Sequence, residues 1–270
     1  MTEDTSVRDY LRERFFPHMW CPGCGHGIVL NGLVRAVKEL GINKNELVMV
    51  SGIGCSSRIS GYVDFHSLHT VHGRALAFAT GVKLSKPGLN VIVPMGDGDA
   101  LSIGGNHFIH AARRNINITA LVMNNRTYGM TGGQCSPMSG VGIKASTAPY
   151  ASIDNSFDCV ELARAAGATF VARTTVAHVN QLSELIKKAI GHNGFSVVEI
   201  FSQCPTYFGR KNKLGGAVDM LKAFKEMTVP LGSEKKKGNP ALFERGIFVE
   251  KELPEYCQAY DQVIARAQKR

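Results

Sequence analysis

Apolar positions along the chain keep two alternating rhythms. Val29, Leu30, Leu33, Val34, Val37 and Leu40 recur at helical spacing, and Gly41 follows as a stop. "ELVMVSG" then reads as a strand entering the glycine loop "GIGCSSR". The pattern repeats with "RALAFATGVKLS" as an apolar helix and "NVIVPMGDGDA" as a buried strand ending in a glycine–aspartate turn. "ALSIGGNHFIHAARR" reads as a helix and "ITALVMNN" as another buried strand. A polar, glycine-rich loop covers roughly Arg126 to Thr147. After it come a helix in "DCVELARAAG", a strand in "ATFVART", a helix in "HVNQLSELIKKAIGH" and a strand in "FSVVEIFS" that leads into Cys204. Short, Val- and Ile-rich strands alternating with helices of about 10 to 15 residues predict an α/β fold. Its sheet is mostly parallel, with right-handed crossovers and helices on both faces. Beyond Asn212 the pattern turns basic, with one helix expected around Ala217–Glu226 and a solvated loop in "SEKKKGNP". Residues 1–212 are therefore read as one α/β domain and residues 213–270 as a C-terminal extension, part helical, packed on the body or on a partner.

Composition narrows the class. With 270 residues, 44% of them hydrophobic, a sizeable core is expected. No apolar run is long enough to span a bilayer, and the N-terminal stretch is charged from its third residue, unlike a signal peptide, so a cytoplasmic protein is expected. The net charge is +9, yet no helix interleaves basic and aromatic residues as nucleic-acid binders do. The charge suits steering toward an acidic protein partner instead. Seven cysteines, an odd number in a chain without an export signal, argue for metal ligation or burial rather than disulfides.

Two strand ends are loaded with chemistry. In "MGDGDAL", Gly96 and Gly98 let the backbone approach a ligand, and Asp97 beside a phosphate makes sense only with a cation between them. In "VMNNRTYG", Asn125 follows Asp97 by one crossover, which places both on neighbouring strand ends, within reach of one Mg²⁺. The Thr127 carbonyl would complete the protein's share. "WCPGCGHG" remains open on its own: Cys21 and Cys24 are compatible with a redox dithiol, a structural zinc half-site or part of an iron–sulfur site.

The GDG followed by NN resembles the diphosphate motif of thiamine diphosphate enzymes. "WCPGCGHG", "GIGCSSR", "HTVHGRALAFATG", "GDGDALSIGGNHF" and "NNRTYGMTGGQ" together resemble the β subunit of 2-oxoacid:ferredoxin oxidoreductases, from Trp20 to about Asn212. The resemblance implies oxidative decarboxylation of a 2-oxo acid with coenzyme A, or its reverse, with electrons passed through a [4Fe–4S] cluster to ferredoxin. It implies Asp97, Asn125 and Thr127 on Mg²⁺, and Gly98, Asp99, Gly129 and Met130 around the diphosphate. Ile53, Gly54, Cys55 and Ser56 would line the cofactor, with His72, and Arg74 nearby, close to its thiazolium ring. Cys21, Cys24, Cys55 and Cys204 would hold the cluster, with Cys135 as the competing ligand and Cys159 as a buried residue. An obligate α subunit would supply the activating glutamate, in a heterodimer or a dimer of heterodimers. "GIGCSSRISGY" and "QCPTYFGRKN" look most like the 2-oxoglutarate branch, with Arg58 as the candidate grip on the second carboxylate. Pyruvate or branched-chain 2-oxo acids are the alternative substrates. An iron-free thiamine enzyme and a zinc or redox CxxC module are the alternatives of other classes.

Overall fold

The computed structural model describes residues 6–269; the first five residues of the charged N-terminal stretch lie outside them. Eight strands run in chain order: β1 (Leu47–Ser51), β2 (His66–His69), β3 (Asn90–Gly96), β4 (Thr119–Asn124), β5 (Phe170–Thr175), β6 (Ser196–Phe201), β7 (Thr228–Pro230) and β8 (Phe243–Glu250). They form one sheet in the order β2-β1-β3-β4-β6-β5-β8-β7. Every pairing from β2 to β5 is parallel, and β8 runs antiparallel to β5.

Ten helices accompany the sheet among the described residues: α1 (His26–Leu40), α2 (Ile59–Tyr62), α3 (Ala75–Ser85), α4 (Asp97–Leu101), α5 (Gly105–Arg114), α6 (Cys159–Ala165), α7 (Val179–Gly191), α8 (Ala217–Glu226), α9 (Glu234–Gly238) and α10 (Tyr256–Ala267). The period-2 alternation of the central strands sorts them onto two faces. In β4, Leu121 and Met123 join α1 and α7 through Leu33, Val37, Leu182 and Ile186. Ala120 and Val122 point the other way, to α3, α5 and α6 through Leu76, Phe108 and Val160. Burying both faces is why these strands read as unbroken apolar runs. No helix among the described residues is long and apolar enough to cross a membrane.

Three features depart from the sequence reading. The helix expected over "ALSIGGNHFIHAARR" is split into α4 and α5, and α4 begins at Asp97 itself, directly after β3. Gly104 marks the break: a side chain there would strike the Asp99 carbonyl. β2 is an exposed edge strand without apolar alternation, so nothing in its sequence signalled it. The segment after Asn212 contributes two strands and α10 to the body: β8 extends the sheet beside β5, and Cys257 of α10 is buried in the second core.

β8 also closes a buried charge network. Arg173 on β5 is 5% exposed and donates to Glu199 of β6 at 2.7 Å and to Asp158 at 2.6 Å. Glu199 in turn accepts from the Asn124 amide at 2.8 Å. Phe243 and Phe248 of β8 lie against the Arg173 guanidinium, with ring centroids 5.6 and 5.5 Å away. Removing one member of such a network strands the others in a dry interior. Arg173→Met is expected to destabilise the fold by about 3–5 kcal/mol, and Arg173→Met/Glu199→Leu by clearly less. Urea unfolding followed by the single tryptophan reads both; equal losses would remove Glu199 from the account.

Candidate active site

The carboxyl ends of β1, β3, β4 and β6 lie side by side on one edge of the sheet. The β3–β4 register pairs Gly96 with Met123, so Asp97 and Asn125 emerge next to each other. A pocket of about 240 Å³ opens there. The loop after β1 lines it with Ile53, Gly54, Cys55 and Ser56, the loop after β2 with His72, and the start of α4 with Asp97, Gly98 and Asp99. The turn after β4 adds Asn125, Thr127, Gly129 and Met130. Every residue assigned above to the diphosphate, the metal or the thiazolium neighbourhood, apart from Arg74, therefore lines one cavity.

Asp97 is 1% exposed and forms no ion pair with another described residue. Its Oδ2 accepts from the Ser136 hydroxyl. Burial pushes its carboxyl up to about 7, against the opposing pull of that hydroxyl and of the Gly98 and Arg126 N–H groups. A carboxylate this costly to ionise, with the Asn125 side-chain oxygen on the neighbouring strand end, is an oxygen donor set suited to a hard divalent cation. The Asn125 oxygen also accepts from the Thr127 N–H at 3.1 Å, which fixes the turn.

Asp99 has a bracing geometry. Its Oδ1 accepts from the Gly73 N–H at 2.7 Å and the Ile53 N–H at 3.4 Å, and lies 2.7 Å from His72 Nδ1. It thus ties the loops after β1 and β2 to α4 and orients His72. His72 also meets the Tyr128 ring edge-on at 5.9 Å. Gly98 has to be glycine, because a Cβ there would overlap the Tyr128 ring.

The cysteines converge beside the same pocket. A Cβ at Gly129 would sit 3.6 Å from both Cys55 Sγ and Cys204 Sγ, so the missing side chain leaves the space between the two thiols free. Burial pushes the Cys24 thiol up to about 12, and Cys204, Cys55 and Cys21 add to the rise. Cys55 is pushed up to about 11 by burial and then by Cys204 and Cys21. A group of four thiols, with Cys24 and Cys55 disfavoured as bare thiolates, matches what an iron–sulfur cluster takes. Among the described residues, no group of three or more His, Cys, Asp or Glu is placed to hold a metal ion. A four-iron cluster is larger than one ion and holds its thiolates further apart. The four sulfurs also sit together without Cys135, whose N–H is held by Thr147 in the loop, while Cys159 and Cys257 are buried in the core.

Arg58 stands apart. It is exposed, outside the pocket lining, and makes no ion pair with another described residue. Arg74 turns to His107 on α5 at 2.6 Å. Two residues that the sequence reading passed over belong to the site. Ser136 holds Asp97, and nothing in its loop signalled it. His26, two residues after Cys24, lines the pocket while 1% exposed, and its position in "WCPGCGHG" was the available signal.

Comparison with known proteins shows the family. A family model described as "Thiamine pyrophosphate enzyme, C-terminal TPP binding domain" matches residues 52–200. The 2-oxoglutarate synthase subunit KorB of Methanothermobacter marburgensis is 51% identical over 254 residues, 92% of this chain and 88% of its own. Subunit beta of 2-oxoacid:ferredoxin oxidoreductase 2 from Aeropyrum pernix is 50% identical over 188 residues, 70% of this chain and 61% of its own. A solved 2-oxoglutarate:ferredoxin oxidoreductase from Magnetococcus marinus, with 2-oxoglutarate, coenzyme A and succinyl-CoA bound, superposes with a TM-score of 0.89 at 37% identity, over 98% of this chain and 92% of that one.

The Gly98–Tyr128 contact gives a local test. Gly98→Ala is expected to cost about 1–3 kcal/mol through overpacking, and Gly98→Ala/Tyr128→Ser to recover much of it. Thermal unfolding of the two variants reads the difference; no recovery would mean that the glycine serves something other than the ring.

Proposed function

The chain belongs to the β-subunit family of the thiamine diphosphate-dependent 2-oxoacid:ferredoxin oxidoreductases, and from that premise we propose that it is the β subunit of an enzyme acting on 2-oxoglutarate. The reaction is oxidative decarboxylation of 2-oxoglutarate with coenzyme A to succinyl-CoA and CO₂, or the reverse, with ferredoxin as electron carrier. One observation supports the reading: Cys55 lines the same pocket as Asp97, Asn125 and Thr127, and its thiol feels those of Cys204 and Cys21. When bound, thiamine diphosphate supplies the decarboxylation chemistry and a [4Fe–4S] cluster the one-electron transfer.

The chain's own residues hold, orient and enclose. Asp97, the Asn125 side-chain oxygen and the Thr127 carbonyl would hold Mg²⁺, with Ser136 fixing the Asp97 carboxylate. The backbone at Gly98 and Gly129 allows close approach of the diphosphate, and Asp99, in the same lining, also holds His72 at 2.7 Å. Cys21, Cys24, Cys55 and Cys204 would hold the cluster at the pocket's edge. The activating glutamate and the remaining cofactor wall belong to an α subunit. An exposed Arg58 reaches substrate only if that subunit covers it, which the 2-oxoglutarate reading requires.

Anaerobic copurification with the α subunit tests the whole reading. Iron, sulfide and thiamine contents and the broad visible absorbance of thiolate–iron charge transfer are expected, with viologen reduction fastest on 2-oxoglutarate plus coenzyme A. A colourless, iron-free complex would sink the cluster; pyruvate as the better substrate would sink the specificity. Ser136→Ala is expected to weaken Mg²⁺-dependent thiamine diphosphate binding about 10–100-fold, read by titration calorimetry. Arg58→Met should depress kcat/KM for 2-oxoglutarate far more than for pyruvate, and equal losses would return Arg58 to the solvated surface.

A further inference from the structure

His26 opens α1 where the two halves of the site meet. The residue is buried and lines the cofactor pocket, and its backbone N–H donates to the Cys24 thiol. Its ring is pinned from several sides. Nδ1 lies 3.0 Å from the Ser202 hydroxyl, and Ser202 sits two residues before Cys204. The Trp20 ring stands edge-on at 5.9 Å and 85°, and its indole N–H donates to the Cys55 carbonyl at 2.7 Å. The flanking backbone is clamped as well. Gly25 donates to the Gln203 carbonyl at 3.2 Å, and the Gln203 amide donates to the Gly23 carbonyl at 2.9 Å. A Cβ on Gly25 would meet the Gln203 side-chain oxygen at 2.8 Å, so this segment has no slack.

On the cofactor and cluster assignment proposed above, we infer that His26 is a positioning residue that couples the cofactor pocket to the cluster. Because the ring is wedged between Ser202 and Trp20, a molecule filling the pocket displaces His26 as a unit. That displacement alters the N–H···S hydrogen bond on Cys24. Hydrogen bonds to the sulfurs help set an iron–sulfur potential, and residues behind the ligands orient them. Ser202 adds a second strand to the link: its N–H donates to the Asn124 carbonyl at 3.0 Å, next to the metal-binding Asn125.

The test uses the anaerobic complex with its α subunit, stripped of thiamine diphosphate and Mg²⁺ but retaining iron. The EPR spectrum and midpoint potential of the cluster are recorded before and after cofactor addition. The unaltered complex is expected to shift on addition. His26→Ala keeps the backbone N–H and should retain iron and cofactor, yet lose more than half of the shift. His26→Asn, which can still partner Ser202, should restore part of it. A histidine with only a structural role would lower thermal stability and leave the shift intact. A parental shift in His26→Ala at full iron and cofactor content overturns the inference, as does an unaltered complex that shows no shift. If His26→Ala loses its iron, Ser202→Ala decides, since it frees the ring without removing it: a reduced shift supports the coupling and an unchanged one ends it. Absence of iron or thiamine diphosphate from the unaltered complex is a different failure, that of the underlying assignment.

Discussion

Parallel strands deliver all their carboxyl ends to one edge, and everything else in this molecule hangs on that constraint. With β1, β3, β4 and β6 adjacent, four loops that are far apart in sequence have to share one small volume. The register then settles which residues share it. Gly96 opposite Met123 brings Asp97 beside the Asn124–Asn125 turn, and Asn124 opposite Phe201 brings that turn beside Ser202–Cys204. A slip of one residue in either ladder would send these side chains to opposite faces.

Such crowding concentrates polar groups in a dry place, and the structure handles them in two ways. Beneath the turn, opposite charges are paired: Arg173 with Glu199 and Asp158, roofed by aromatic rings from β8. At the pocket, like groups are left together. Asp97 forms no ion pair with another described residue, and neighbouring thiols add to the rise at Cys24 and Cys55. Buried groups that are expensive to ionise alone are what a bound cation or cluster compensates. The contrast separates the scaffold of the site from its working part. It also explains why the C-terminal segment belongs to the body, since β8 roofs the paired charges that carry the turn.

Much of this was legible in the chain. Both-face burial makes β1, β3, β4, β5 and β6 continuous apolar runs, and helical spacing identified α1, α6 and α7. The outer strands β2 and β8 were not legible, because β2 is exposed at every position and β8 only half-buried, so neither carries the apolar signal of a core strand. The site followed the same division. Asp97, Asn125 and Cys55 stand in motifs at strand ends, whereas Ser136 sits in a long loop where one hydroxyl looks like any other.

The sequence by itself therefore determined the alternation of elements, the strand ends that carry chemistry, and the residue types able to meet a diphosphate, a divalent cation and iron. Only the tertiary structure decided which of them meet. It gathered Cys21, Cys24, Cys55 and Cys204 and left Cys135 in its loop. It turned Asp99 inward onto His72 and left Arg58 outside the pocket. The reason is physical: spacing along a chain records local periodicity, but the distance between two loops is set by strand order and register, which no single segment contains.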